Sequence, residues 1–277
     1  MSVSIIFLNK YLLSVTTFKF PICLAVCHMA CNYLCCAAMF ACKIAKQDDP
    51  PSFHVRVSVG ALFGIVLWSA NAAFVHLSIP FIQMLKAFGP VCILLLSAVA
   101  RISTITLTDS AGVLLILVGL SLSAVGEVSF DAIGFFLQCT SIIADSLRCV
   151  LLQIALQRKS SSALSTLYYT APFAFMSLSI PFVTYEYEQV VNTEISRRAV
   201  AVLLAGCVVS VALNVTIFML IKHTSALTTS VSGVLKEIIC ITTAVFVFGT
   251  QITPMQVGGY AISMAGLLVY RYCKSGD

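Results

Sequence analysis

Five ionisable residues stand inside otherwise apolar stretches: Lys86, Asp145, Arg148, Lys236 and Glu237. An unpaired charge at mid-depth in hydrocarbon costs about 2.5–3.5 kcal/mol or more on insertion scales. These residues must therefore face a cavity or one another. Asp145 and Arg148 are three apart on one helix, which permits a pair. That pair either orients helices as a buried salt bridge or serves a ligand. Gln83 lies three residues before Lys86, and Ser225, Thr229 and Ser232 line the helix face that carries Lys236. Two lysines on polar faces read as paired anion sites. Snorkelling, or pairing with Asp145 or Glu237, is the competing reading. Glu237 points about 100° away from Lys236 around the helix, so their adjacency does not make them partners. Asn71, Asn214, Tyr168 and Tyr169 add hydrogen-bonding groups at similar depths, and His28 and Asn32 lie four apart on one face. For each of these, helix–helix contact competes with ligand binding. The glycosylation sequon at Asn214-Val215-Thr216 lies inside an apolar stretch and is read as unused.

The elements that must carry these residues follow from composition. Of 277 residues, 60% are hydrophobic and only 10% charged, with a mean hydropathy of +1.02. A soluble domain carries about 25% charged residues to hydrate its surface. This chain cannot cover itself that way, so its outside faces lipid. A soluble enzyme, a nucleic-acid binder and a disordered scaffold are excluded. At about 20 apolar residues per span plus a turn, there is room for about ten or eleven spans and no extramembranous domain. They read as 1–15, 20–42, 53–77, 79–99, 108–126, 130–156, 162–184, 197–220, 226–248 and 252–272. The first is short for a hydrocarbon core of about 30 Å, and is expected to be a partial helix or one cut at its start. Nothing in it resembles a transit peptide, and the C-terminal Cys-Lys-Ser-Gly-Asp is not a retrieval signal.

The net charge of +5 reflects basic loops. Lys43, Lys46, Arg56, Arg101, Arg158, Lys159, Lys222, Arg271 and Lys274 fall on one side, against Lys10, Lys19, Arg197 and Arg198 on the other. The richer side is expected to be cytosolic, which with ten spans places both termini there. Twelve cysteines sit mostly in apolar runs, with Cys27, Cys31 and Cys35 on one face. They read as packing residues, against a metal site that would need supporting ligands. No metal and no other cofactor is expected.

A faint repeat relates the two halves. Ile105-Thr106, Gly112 and Gly119 recur as Ile252-Thr253, Gly259 and Gly266, offset by 147 throughout. The expected fold is all-α, with two inverted five-helix repeats, 1–126 and 130–273, in one domain covering 1–277. Inverted repeats are the signature of carriers that rock around a central site; chance similarity between glycine-rich helices is the competing reading.

Particular strings carry a family resemblance. Asn9-Lys10, Phe20-Pro21 and His28-Met29 open the chain, and Gln83-Met84-Leu85-Lys86 with Pro90 marks the fourth span. Gly126-Glu127, Leu147-Arg148 and Tyr168-Tyr169 with Pro172 follow. The ninth span is marked by His223-Thr224-Ser225-Ala226-Leu227-Thr228, then Gly233-Val234-Leu235-Lys236. Together they resemble the triose-phosphate translocator family of the drug/metabolite transporter superfamily. The match is to its non-plastid branch of probable sugar phosphate/phosphate translocators. The resemblance implies a ten-helix exchanger for phosphorylated carbohydrates, not an enzyme, with Lys86, Arg148 and Lys236 as substrate-binding cations. The wider candidate set adds Gln83, Asn71, Tyr168, Tyr169, Asn214, Ser232, Glu237 and Asp145. Two departures stand out: Glu237 replaces the Arg of plastid members, and Leu213-Asn214-Val215 replaces their Tyr-Asn-Gln. An acceptor-only carboxylate there removes one anion contact and suits a substrate offering hydroxyls or amines. The expected function is exchange of a sugar phosphate or related organic phosphate for phosphate. A nucleotide-sugar/nucleoside monophosphate exchanger of the Golgi or endoplasmic reticulum, and a non-transporting regulatory membrane protein, are the alternatives. The expected partners are a phosphorylated small molecule and the lipid bilayer, with no nucleic acid.

Overall fold

The computed structural model of the chain describes residues 8–9, 11–13, 16–102, 107–127, 130–158, 162–230, 238, 241–242 and 252–274. Among them every regular element is helical. Backbone polar groups find no water in hydrocarbon, so a helix, which satisfies them within one segment, is the form these apolar stretches must take. The helices are α1 (Pro21–Ala41), α2 (Phe53–His76), α3 (Ile79–Lys86), α4 (Gly89–Val99), α5 (Leu107–Val125), α6 (Ala132–Arg158), α7 (Ala163–Pro181), α8 (Tyr187–Val191), α9 (Arg197–His223) and α10 (Pro254–Lys274). Five stretches among the described residues are long and apolar enough to cross a membrane: Pro21–Ala41, Phe53–Ala73, Ile79–Val99, Ala132–Gln157 and Arg197–His223. Most of the first and ninth expected spans lie outside the described residues.

Two expected spans differ from the structure. The stretch 79–99, one apolar run long enough to span, holds two helical segments joined by a tightened turn at Ala87 and Phe88, both still in the right-handed helical region. The stretch 162–184 continues past its expected end, through a widened π turn (Phe182–Glu186) into α8. That turn begins directly after Pro181, whose ring cannot donate to the helix ladder.

Serine and threonine set the helix starts. Ser78, Ser162 and Ser196 accept the backbone N–H three residues on, from Phe81, Ser165 and Ala199. Thr253 and Gln256 form a reciprocal capping box, 3.2 Å and 2.9 Å, with Pro254 at the first helical position of α10. Two helices end on basic residues in the left-handed region, Lys43 (φ 56°) and Arg101 (φ 55°). Each closes a Schellman motif: Ile44 N–H reaches Met39 O at 3.0 Å, and Ile102 N–H reaches Ser97 O at 2.9 Å.

The chain forms two compact units. The first comprises Met1–Gly64 and Leu151–Ser225, the second Ile65–Val150 and Ala226–Asp277. Each draws on both halves of the sequence, with α2 and α6 passing from one to the other.

In the first unit, Cys36, Leu152, Leu156, Leu167, Phe218 and Ile221 form one core cluster, and Leu12, Phe18, Phe20 and Leu24 another. Glu186 caps α1 by accepting from Ile22 N–H (2.9 Å) and Cys23 N–H (2.6 Å). Gln157 donates to the last carbonyls of α9, at Ile221 and Thr224.

In the second unit, Leu77, Phe81, Ile82, Leu85, Ile116 and Leu267 pack into the core. Helices α5 and α10 cross at glycines. A Cβ on Gly119 would strike the Gly259 carbonyl, and one on Gly266 would lie 2.8 Å from the Gly112 carbonyl. Gly119 thus meets the 147-offset equivalent of Gly112, and the reverse holds too. Ser263 Oγ donates to Ile116 O (3.2 Å), a pair that is itself 147 apart. Thr253 Oγ1 donates to Gly126 O at 2.8 Å, tying the start of α10 to the end of α5.

Candidate functional site

The charged candidates gather in the second unit, around the break between α3 and α4. Pro90 causes that break. It has no N–H for the carbonyl four residues back, which is that of Lys86, and its ring crowds that carbonyl. The chain tightens there: Ala87 N–H bonds Met84 O, and Phe88 N–H bonds Leu85 O, each three residues back. Lys86 is left as the last residue of α3. The negative end of the helix dipole favours a cation at that position. Gln83, one turn earlier, is buried.

Helix α6 brings the second charged group to the same break. Ser146 Oγ donates to the Gly89 carbonyl at 3.3 Å. Next to Ser146, Asp145 and Arg148 form the expected pair. Arg148 Nε and Nη2 both donate to Asp145 Oδ1, at 3.0 Å and 2.6 Å. Arg148 is 19% exposed and Asp145 47%. Both stand near the middle of a 27-residue helix. A half-exposed carboxylate at that depth faces water rather than lipid, given its insertion cost. The approach to the ninth span reaches the break as well, since a Cβ on Gly89 would lie 3.6 Å from Ser230 Oγ. Ser232, Lys236 and Glu237, the candidates that follow Ser230, lie outside the described residues. Asn71, also in this unit, is partly buried on α2.

Tyr168, Tyr169 and Asn214 fall in the first unit. Tyr168 stacks on Tyr33 (4.9 Å, 13°), with their hydroxyls 3.4 Å apart, and meets Phe40 edge-on. Tyr169 accepts a hydrogen bond from Gln47 Nε2 at 2.6 Å. Pro172 lies four residues after Tyr168, the same spacing as Pro90 after Lys86, and so removes the donor for the Tyr168 carbonyl. Asn214 Nδ2 donates back to Ser210 O (3.0 Å) and Oγ (3.3 Å) on its own helix. His28 and Asn32 are buried on α1, and their Nε2 and Oδ1 atoms have no partner among the described residues. Cys31 Sγ lies 3.7 Å from Cys35 Sγ along the same helix.

Sequence reasoning missed three polar features: the helix break at Lys86, Ser146, and Gln138. Gln138 is fully buried on α6, with neither amide atom partnered among the described residues. The signal for the break was present, in a proline four residues beyond a lysine.

With this geometry in view, the match to known families is decisive. The model of the Triose-phosphate Transporter family matches residues 1–271. The chain belongs to this family. A probable sugar phosphate/phosphate translocator of Arabidopsis thaliana is 32% identical over 286 residues, covering 100% of this chain and 78% of that protein. A second such translocator from the same plant is 32% identical, covering 99% of this chain and 81% of its own. UDP-galactose transporter 1 of Arabidopsis thaliana is 26% identical over 283 residues, covering 99% and 84%. A crystal structure with a TM-score of 0.64 and 16% identity covers 97% of this chain and 95% of its own, and shows a shared fold. The chain is therefore an integral, all-α polytopic membrane protein of a transporter family.

Proposed function

We propose that this transporter exchanges a sugar phosphate or related organic phosphate for phosphate by alternating access. The observation that carries the reading is the proline-interrupted helix at Lys86, tightened at Ala87 and Phe88, with the Asp145–Arg148 pair beside it. Broken helices whose ends face a mid-membrane site are how carriers hold charged cargo. The cations are Lys86, Arg148 and, by its place in the sequence, Lys236. Asp145 offsets one of them, and Glu237, by its place in the sequence, a second. Closing a site that keeps excess positive charge in low dielectric costs several kcal/mol. A phosphate dianion supplies the missing charge, so the loaded carrier closes and the empty one stays open. Exchange, rather than one-way passage, follows. The reciprocal glycine crossing of α5 and α10 supports two inverted repeats as the frame that rocks.

A second reading is exchange of a nucleotide sugar for a nucleoside monophosphate. The similarity to a UDP-galactose transporter favours it, and so does Glu237, an acceptor for hydroxyls or amines. Under either reading we place the protein in the endoplasmic reticulum or Golgi membrane; the basic loop bias supports both termini being cytosolic. The deciding test is a competition panel. Purified protein in liposomes takes up labelled phosphate against sugar phosphates, nucleotide sugars and nucleoside monophosphates. Displacement by sugar phosphates alone supports the first reading, and displacement by nucleotide sugars supports the second. Displacement by none refutes both.

A further inference from the structure

A second cation, in the other compact unit, is set up for an anion. Arg56 lies in the first unit, in the opening turn of α2. Its guanidinium carbon stands 5.6 Å from the ring centre of Phe53, 5.8 Å from Tyr169 and 5.9 Å from Phe173. Three rings around one guanidinium hold it by cation–π attraction and fix its plane. Each ring is itself held. Gln47 bonds the Tyr169 hydroxyl, Phe173 meets Phe53 edge-on at 5.9 Å, and Phe173 packs against Gly60, where a Cβ would not fit.

The cage leaves the charge unbalanced. Among the described residues no carboxylate lies within ion-pair distance of Arg56, and its Nε is sealed without an acceptor. Asp48, on the loop before α2, uses Oδ2 to accept the Ser162 N–H at 2.6 Å. That contact, together with Lys222 and Lys46, holds the Asp48 carboxyl below its usual range. The positive end of the α2 dipole adds to the same sign. A caged arginine at the N-terminal end of a helix is a poor structural choice unless an anion completes it. Phe53, at 60% exposed, places the cage at the protein surface at the end of a span. That is the depth at which phosphate headgroups lie.

We infer that Arg56 and its aromatic cage form a phosphate-binding site at the membrane interface. The ligand is a phosphate group, carried by an acidic phospholipid or by a soluble phosphate compound. The rings fix the guanidinium plane, and its Nη groups present a planar fork to two phosphate oxygens.

The test uses the full chain purified in neutral detergent, with phosphatidic acid and inorganic phosphate as separate probes, reading the thermal midpoint. Soluble phosphate is also tested in a Lys86→Gln background, so that the exchange site does not contribute. Wild type should be stabilised by at least one probe. Arg56→Gln should weaken that response about tenfold in ligand concentration, as expected for one charge-assisted contact. Arg56→Lys, which keeps the charge but loses the fork and the stacking, should fall between them and serves if the Gln variant does not fold. A response to phosphatidic acid alone identifies a lipid headgroup, and a response to inorganic phosphate alone identifies the soluble compound. If Arg56→Gln and Arg56→Lys respond to both probes as wild type does, the site does not exist.

Discussion

Adjacent glycines on α10 should respond to the same substitution with opposite signs. Gly259 faces α5, where a Cβ would lie 2.6 Å from both Ser123 N and Ser123 Oγ, against an ordinary contact of 3.4 Å. Gly258 has nothing within 4 Å of the same position. The Gly119 carbonyl is nearer still to the Gly259 position, at 2.5 Å, so relieving the clash requires the helices to part by about 0.9 Å, the difference from an ordinary 3.4 Å contact. That movement stretches the Ser263–Ile116 bond (3.2 Å) and the Ser123–Gln256 bond (3.3 Å) out of range. Two interhelical bonds at about 0.6 kcal/mol each, plus about 1–3 kcal/mol for overpacking, give a loss of about 2–4 kcal/mol. The helix-propensity gain of alanine, up to about 1 kcal/mol, applies to both variants and cancels in the comparison. At about 2–4 °C per kcal/mol, Gly259→Ala should melt on the order of 10 °C below Gly258→Ala. The assay is residual monodisperse protein on size exclusion after a temperature series. Midpoints within a degree or two of each other would refute the close crossing of α5 and α10.

Other substitutions probe local devices. Pro90→Ala returns a donor to the Lys86 carbonyl and should straighten the stretch 79–99; stability should rise or hold while uptake into liposomes falls at least tenfold. Glu186→Ala removes the acceptor of two N–H groups at the start of α1 and should cost about 1–3 kcal/mol, read by thermal midpoint, with Glu186→Gln milder. Arg101→Gly relieves a left-handed residue and should stabilise by about 1 kcal/mol, with no change in transport. Asp48 is held ionised below its ordinary range, mainly by the Ser162 N–H. Its contribution should be present at neutral pH and disappear as the pH falls through that lowered value. Asp48→Asn should therefore differ from wild type at pH 7 and converge with it in acid, as shown by melting curves across pH 3–7.

Helix positions were legible because apolar length sets them: α1, α2, α5, α6, α9 and α10 begin and end within a few residues of their expected spans. The errors fell at prolines. Pro90 and Pro181 sit in unbroken apolar runs, and hydropathy does not register a missing N–H. The pairing of Asp145 with Arg148 was legible because both lie on one helix. Arg56 was read only as a loop charge, since its cage joins Phe53 on α2 to Tyr169 and Phe173 on α7, residues far apart in sequence. The same holds for Ser146, whose role depends on a carbonyl freed elsewhere. Tyr168 and Tyr169 were grouped with the charged candidates by depth alone, and the fold assigns them to the other compact unit.

The exchange mechanism is tested most directly by trans-stimulation. Liposomes carrying the purified protein are loaded with phosphate or left empty, and initial uptake of labelled phosphate from outside is compared. Obligatory exchange predicts rapid uptake only into loaded vesicles, and its loss in folded Lys86→Ala. Equal uptake into loaded and empty vesicles, or wild-type exchange by Lys86→Ala, would contradict the account.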